Sequence, residues 1–151
     1  MIFENIFIGL GSNIGKRESY INSAIKEIRS IQKTDIIHIS SIIETKPIGN
    51  VLQPNFLNAV VRINSELEPI RLLNRLQVIE QKLGRHRTEK WSFRTIDLDI
   101  LFYDELILSS DELTIPHPEI MNRSFILQLM NEIAPEYTHP LQKKTMKELY
   151  E

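Results

Sequence analysis

The chain has no cysteine. Disulfides, thiolate metal sites and a cysteine nucleophile are excluded, although that absence does not fix the compartment. Net charge is nearly absent too, since 18 basic and 20 acidic residues leave −2. Without an overall positive field, only a local cluster of arginines could hold a polyanion. Nucleic acid and membrane are therefore not expected partners. No apolar run approaches the ~20 residues needed to span a bilayer. The opening segment Met1–Leu10 is short and carries Glu4, so no secretory leader is expected and a cytoplasmic location is the default. Internal repeats and low-complexity linkers are also missing.

What remains is ordinary for a globular protein. Of 151 residues, 42% are hydrophobic and 25% charged, which suits a single domain over 1–151 with one core. Ile6 to Leu10 reads as a strand running into a turn at Gly11-Ser12-Asn13. Tyr20, Ile21, Ala24, Ile25, Ile28 and Ile31 recur at helical spacing. Ile36 to Ile43 and Leu57 to Ile63 read as further strands. Glu44 to Pro54, with Pro47, Gly49 and Pro54, reads as a long loop. Pro69 suits a helix start, Ile70, Leu73, Leu76, Ile79 and Leu83 form its apolar stripe, and Gly84 suits its end. Thr95 to Tyr103 is a strand interrupted only by two aspartates. Glu105 to Ile115 could form a hairpin, and Ser124 could cap a helix carrying Phe125, Leu127, Leu129 and Ile133. The order β-α-β-β-α-β predicts an α+β fold of the ferredoxin-like type. Helices should pack on one face of an antiparallel sheet, with a C-terminal extension.

Asp97 and Asp99 stand at i and i+2 on that last strand and should share one face, with Ile96, Leu98 and Ile100 turned the other way. Two adjacent carboxylates repel unless a cation lies between them. Hard oxygen ligands suit Mg²⁺, which shares its shell with phosphates. An isolated Asp-X-Asp would more simply cap a turn and face solvent, but the apolar flanks make a fully solvated face harder to accept. Arg85, Arg87 and Arg94 lie on one polar connection with His86 and Lys90. Guanidinium forks match phosphate oxygens, although such a run alone is most simply a solvated loop. Gly11-Ser12-Asn13-Ile14-Gly15 lacks both the P-loop ending and the G-x-G-x-x-G spacing, and reads as a strand-to-helix turn. Gln77 and Glu80 share a helix face. Phe56 and Phe125 are by default core residues, and Trp91 is an unexpected aromatic in a polar loop. His117 between Pro116 and Pro118 is either a turn residue or a ligand contact.

Several segments together resemble one family. They are Gly11-Ser12-Asn13, Thr45-Lys46-Pro47-Ile48-Gly49, Gln53-Pro54-Asn55-Phe56-Leu57-Asn58, Arg94-Thr95-Ile96-Asp97-Leu98-Asp99-Ile100-Leu101, Pro116-His117-Pro118 and Asn122-Arg123-Ser124-Phe125. In order and spacing, from about Ile6 to Pro140, the chain resembles the hydroxymethyl-dihydropterin pyrophosphokinases of folate synthesis. The resemblance implies diphosphoryl transfer from MgATP to the hydroxymethyl group of a dihydropterin, releasing AMP. It implies two Mg²⁺ ions on Asp97 and Asp99, and Arg85 and Arg94 on the triphosphate during transfer. Gln77, Glu80, Arg87, Trp91, Ile100, Thr114, His117 and Arg123 fall at ATP-side positions. Phe56 and Phe125 match the aromatics around the pterin. Thr45, Asn58 and the backbone near Ile48 match groups on its polar edge. A monomer is expected. The chain departs from the family at Ser92-Phe93, where Gly-Pro or Ala-Pro is usual, and at Glu112, where some members have arginine.

Two other functions fit the same element order. A ferredoxin-like scaffold can be a non-catalytic sensing module, and paired aspartates on such a sheet also suit a nucleotidyl transferase. A sensing module would not need two converging aspartates beside three arginines, and the lack of a broad basic surface for nucleic acid weighs against the polymerase form of a transferase.

Overall fold

β-Branched runs on alternating faces build an antiparallel sheet. In the computed structural model, which describes residues 1–47, 52–84 and 95–151, the elements of that sheet are β1 (Phe3–Ser12), β2 (Thr34–Ile39), β3 (Ile43–Thr45), β4 (Phe56–Ser65) and β5 (Asp97–Tyr103). The order across it is β2-β4-β1-β5, with β3 also paired to β4, and every pairing is antiparallel. Helix α1 (Arg17–Arg29) links β1 to β2, and α2 (Pro69–Lys82) links β4 to β5. This is the ferredoxin-like arrangement. A short hairpin follows, β6 (Leu108–Ser109) with β7 (Thr114–Ile115), and then helices α3 (Ser124–Ile133) and α4 (Met146–Tyr150).

The apolar stripes explain which faces are covered. Ile21, Ala24, Ile25 and Ile28 of α1, and Leu72, Leu76 and Ile79 of α2, pack on Ile6, Ile8, Leu10, Ile63, Leu98 and Ile100 of the sheet. Each of these isoleucines and leucines contributes about 1.5–3 kcal/mol when fully buried. The other sheet face carries Phe7, Val60, Leu101 and Phe102, and these meet Ile126, Leu127, Leu129 and Met130 of α3 and Met146 of α4. Helices therefore lie on both faces. A register shift enlarges that second apolar face: Phe7 faces Phe102 and Ile8 faces Ile100, so Leu101 is an extra residue in β5. A bulge of this kind turns Leu101 and its neighbour Phe102 to the same side.

Several boundaries differ from the sequence expectation. Ile36 to Ile43 is two strands, because Ser41 is drawn off the sheet by Glu132 of α3. The Ser41 N–H and hydroxyl both donate to that carboxylate, at 2.8 and 2.5 Å. Gly11 and Ser12 belong to β1 and not to a turn. Ser124 is the first helical residue of α3 and makes no capping bond. Gly84 does end α2, at φ +95°, a conformation that an L side chain resists.

Candidate active site

The site grows from three neighbouring strands whose side chains point to the face that α3 covers only in part. On β4 the residues are Phe56, Asn58 and Val60, on β1 Gly9 and Gly11, and on β5 Asp97, Asp99 and Leu101. The register aligns them in rows: Asn58, Gly11 and Asp97 in one, Val60, Gly9 and Asp99 in the next. The middle strand thus offers no side chain in either row. A trough results, with an amide on one bank and two half-buried carboxylates on the other.

This trough is the floor of a cavity of about 160 Å³. Thr45, Lys46, Pro47 and Gln53 line one side, and Arg123, Phe125, Ile126 and Leu129 another. Phe56 opens β4 and Phe125 lies in the first turn of α3, so two aromatic rings reach the cavity from separate elements. Asn58 is 9% exposed, and its Nδ2 donates to Thr45 Oγ1 at 2.5 Å. That bond fixes which way the amide faces. Gly11 makes room for it, because a Cβ there would stand 3.0 Å from Asn58 Oδ1 and 3.5 Å from Phe56 Cδ1.

The chain on either side of this cavity is tied down from the β1–α1 turn. Buried Asn13 donates through Nδ2 to Gln53 Oε1 at 3.0 Å. Arg17 Nη1 donates to Glu44 Oε2 at 2.8 Å and to the Asn55 carbonyl at 2.9 Å. One guanidinium so joins the end of β3 to the start of β4.

A second cavity, of about 260 Å³, lies beyond β5. It is lined by Leu73 and Gln77 of α2, Leu98, Asp99 and Ile100 of β5, and the hairpin from Ser110 to Thr114 with His117 and Pro118. Asp99 lines both cavities and Asp97 the first. His117 is held by its backbone, whose N–H donates to the Leu101 carbonyl at 2.9 Å. Its Nδ1 accepts the Glu119 N–H at 3.1 Å, so the proton of the neutral ring sits on Nε2. Burial lowers its pKa and so does Arg123, while Asp97 and Glu119 oppose the change. The ring is therefore neutral near pH 7.

The structure places the expected site residues as follows. The structure brings Thr45, Phe56, Asn58, Phe125, Asp97 and Asp99 to the first cavity, and Gln77, Ile100, Thr114 and His117 to the second with Asp99. Arg123 faces the first cavity. Glu80 is 1% exposed and lines neither, its carboxylate accepting the Leu98 N–H at 2.8 Å. Ile48, Arg85, Arg87, Trp91 and Arg94 lie outside the described residues. Sequence reasoning missed Gly9, Gly11 and Gln53. Two glycines at i and i+2 of a strand would have been a signal had Gly11 been read as strand, since glycine inside a strand often marks a close approach.

The donor set also bears on a metal. Among the described residues no three His, Cys, Asp or Glu side chains converge. Asp97 and Asp99 are thus a pair of hard oxygen donors opening on two cavities. Such a pair fits Mg²⁺, which keeps waters and takes further oxygens from substrate phosphates. It does not fit a closed structural site.

Comparison with known proteins points one way. Residues 7–135 match the family model of 7,8-dihydro-6-hydroxymethylpterin-pyrophosphokinase. The chain is 40% identical over 134 residues to the 2-amino-4-hydroxy-6-hydroxymethyldihydropteridine pyrophosphokinase of Haemophilus influenzae, covering 89% of this chain and 84% of that one. It is 38% identical over 143 residues to the Aquifex aeolicus protein of the same name, covering 95% and 88%. Among solved structures, an HPPK-DHPS in complex with substrates superposes with a TM-score of 0.75 at 18% identity, over 97% of this chain and 43% of that one. Plasmodium falciparum HPPK-DHPS with pteroate gives 0.78 at 17%, over 99% and 42%. The chain thus spans about two-fifths of those longer proteins, and at such identities the likeness is one of fold.

Proposed function

The chain belongs to the 7,8-dihydro-6-hydroxymethylpterin-pyrophosphokinase family and is a pyrophosphokinase of folate synthesis, and on that premise we propose how its residues divide the reaction. The enzyme moves the terminal diphosphoryl group of MgATP to the hydroxymethyl oxygen of the dihydropterin and releases AMP. In our reading the first cavity takes the pterin and the second takes ATP. The observation that carries this is the position of Asp99, on the wall between them.

A pterin is flat, with donors and acceptors along one edge. Phe56 and Phe125 supply apolar faces for the ring. Asn58, oriented by Thr45, meets the polar edge, and on the family resemblance the backbone near Ile48 joins it. Gln77, Ile100, Thr114 and His117 surround the nucleotide, with His117 presenting an Nε2–H donor. Arg123 stands near the transferring group. Arg85, Arg87, Arg94 and Trp91 join the ATP side on the family resemblance. Asp97 and Asp99 would hold two Mg²⁺ ions, which neutralise charge on the group in transit when bound.

The attacking alcohol is a weak nucleophile, and no residue of the site is needed as a strong base. The chain's work is to bring the hydroxymethyl oxygen into line with the phosphorus and to hold both substrates still. Both cavities are built by residues of one chain, so we take 1–151 as one pyrophosphokinase domain acting as a monomer. We take it to act on small-molecule substrates where ATP is available, in the cytoplasm, without nucleic acid or membrane as partner. Among the described residues no helix is long and apolar enough to cross a membrane.

Incubation with ATP, Mg²⁺ and 6-hydroxymethyl-7,8-dihydropterin should yield AMP and the pterin diphosphate in equal amounts. ADP as the nucleotide product would overturn diphosphoryl transfer. Pyrophosphate release with an adenylylated pterin would indicate nucleotidyl transfer instead.

A further inference from the structure

The resemblance puts Glu80 at an ATP-side position, but its side chain is turned elsewhere. It lies inside α2, 1% exposed, and its Oε2 accepts the backbone N–H of Leu98 at 2.8 Å. Leu98 stands between the two aspartates. Among the described residues β5 pairs with β1 alone, so β5 is an edge strand whose outward amides have no neighbouring strand to receive them. Glu80 supplies that missing acceptor at the one residue flanked by both Asp97 and Asp99. The same helix presents Gln77, one turn earlier, to the second cavity.

We propose that Glu80 is a positioning residue, which anchors β5 to α2 at Leu98 and thereby sets where Asp97 and Asp99 stand relative to the nucleotide wall. This rests on the aspartates' role proposed above. An acceptor on a side chain of fixed length defines a strand's distance from the helix. What matters is then the reach of Glu80 and its acceptor oxygen, more than its charge. A group that touched ATP or its metal directly would depend on charge.

A pair of variants separates the two. Glu80→Gln keeps the reach and an acceptor oxygen, whereas Glu80→Asp keeps the charge and shortens the side chain by one methylene. Positioning predicts that kcat of Glu80→Gln stays within about threefold of the parent. It predicts that kcat of Glu80→Asp falls about tenfold or more with the ATP dissociation constant little changed. Weaker Mn²⁺ binding by Glu80→Asp, followed by electron paramagnetic resonance with a non-hydrolysable ATP analogue, should accompany that fall. The reverse ranking, with Glu80→Gln the worse and its ATP binding lost, would overturn the proposal.

The anchor itself is read in the parent protein by amide hydrogen exchange. Leu98 should be protected despite its edge position, and Glu80→Asp should lose protection there first. A Leu98 amide that exchanges freely in the parent would also overturn the proposal, without touching the assignment of Asp97 and Asp99. Protection at Leu98 with normal turnover in Asp97→Asn would instead overturn that assignment and spare the anchor.

Discussion

The two cavities are built on opposite principles. The first has a fixed floor: bare backbone at Gly9 and Gly11, an amide locked by Thr45, and apolar residues of α3 that belong also to the protein's core. The second has a floor on the edge strand and walls from α2 and a two-residue hairpin, with Ser110, Asp111 and Glu112 along its rim. On the proposed division of the site, the difference teaches how one site can treat two unlike substrates. A rigid flat acceptor is recognised by shape and by a few directed hydrogen bonds. A flexible polyanion is recognised by charge and by groups that can follow it. Between them stands one carboxylate, Asp99.

The comparison breaks most severely at the boundary. Asp97→Asn should lower kcat by about 10²–10³-fold, the usual loss when one preorganised electrostatic group is removed, while pterin binding measured by fluorescence titration changes little. A near-parental rate would remove the aspartates from the chemistry.

Substitutions on either bank should then separate cleanly. In Gly11→Ala the new methyl presses on Asn58 Oδ1 at 3.0 Å. The pterin KM should rise about tenfold, the effect of disturbing one buried hydrogen bond, with ATP affinity intact. Gln77→Ala should do the opposite and more mildly. Equal shifts in both constants for either variant would mean that the cavities are not separate subsites.

The smallest effect is on stability. His117 and His139 have pKa values lowered from 6.5. Burial is the main cause for His117, with Arg123 second, and the sole cause for His139. Both rings accept backbone N–H groups through Nδ1. The unfolded chain takes up these protons near pH 6.5 and the folded chain only at lower pH. Their contribution is therefore complete above about pH 6.5 and lost as the pH falls towards the folded values. The urea midpoint should decline from about pH 7 to about pH 5, and His139→Asn should flatten part of that slope. An unchanged slope would exclude His139 as a source.

Much of this was legible in the chain. Alternation along β5 placed Asp97 and Asp99 on one face because strand periodicity is local. The stripes of α1 and α2 gave the element order for the same reason. What could not be read depended on contacts distant in sequence. Nothing near Ser41 announces Glu132, 91 residues away. The bulge at Leu101 is a property of pairing with β1, and the helix cover on the second face rests on contacts of α3 and α4 with strands far away in the chain. Gly11 carries no turn signature that distinguishes it from a strand glycine until its neighbours Asn58 and Asp97 are known. Glu80 looks like any surface residue of an amphipathic helix, because its partner Leu98 lies on another element.

The helix α3 has one more consequence. Ile126 and Leu129, 4% and 1% exposed, line the first cavity and are at the same time core residues packed with Phe7 and Phe102. Truncating either would cost about 2–5 kcal/mol, a large share of the 5–15 kcal/mol that holds a typical domain together. An inhibitor resting on these two side chains would therefore touch atoms that a mutating population can scarcely afford to change. Resistance would have to arise on the irregular side of the cavity, around Lys46, Pro47 and Gln53, where the chain has less folding free energy to lose.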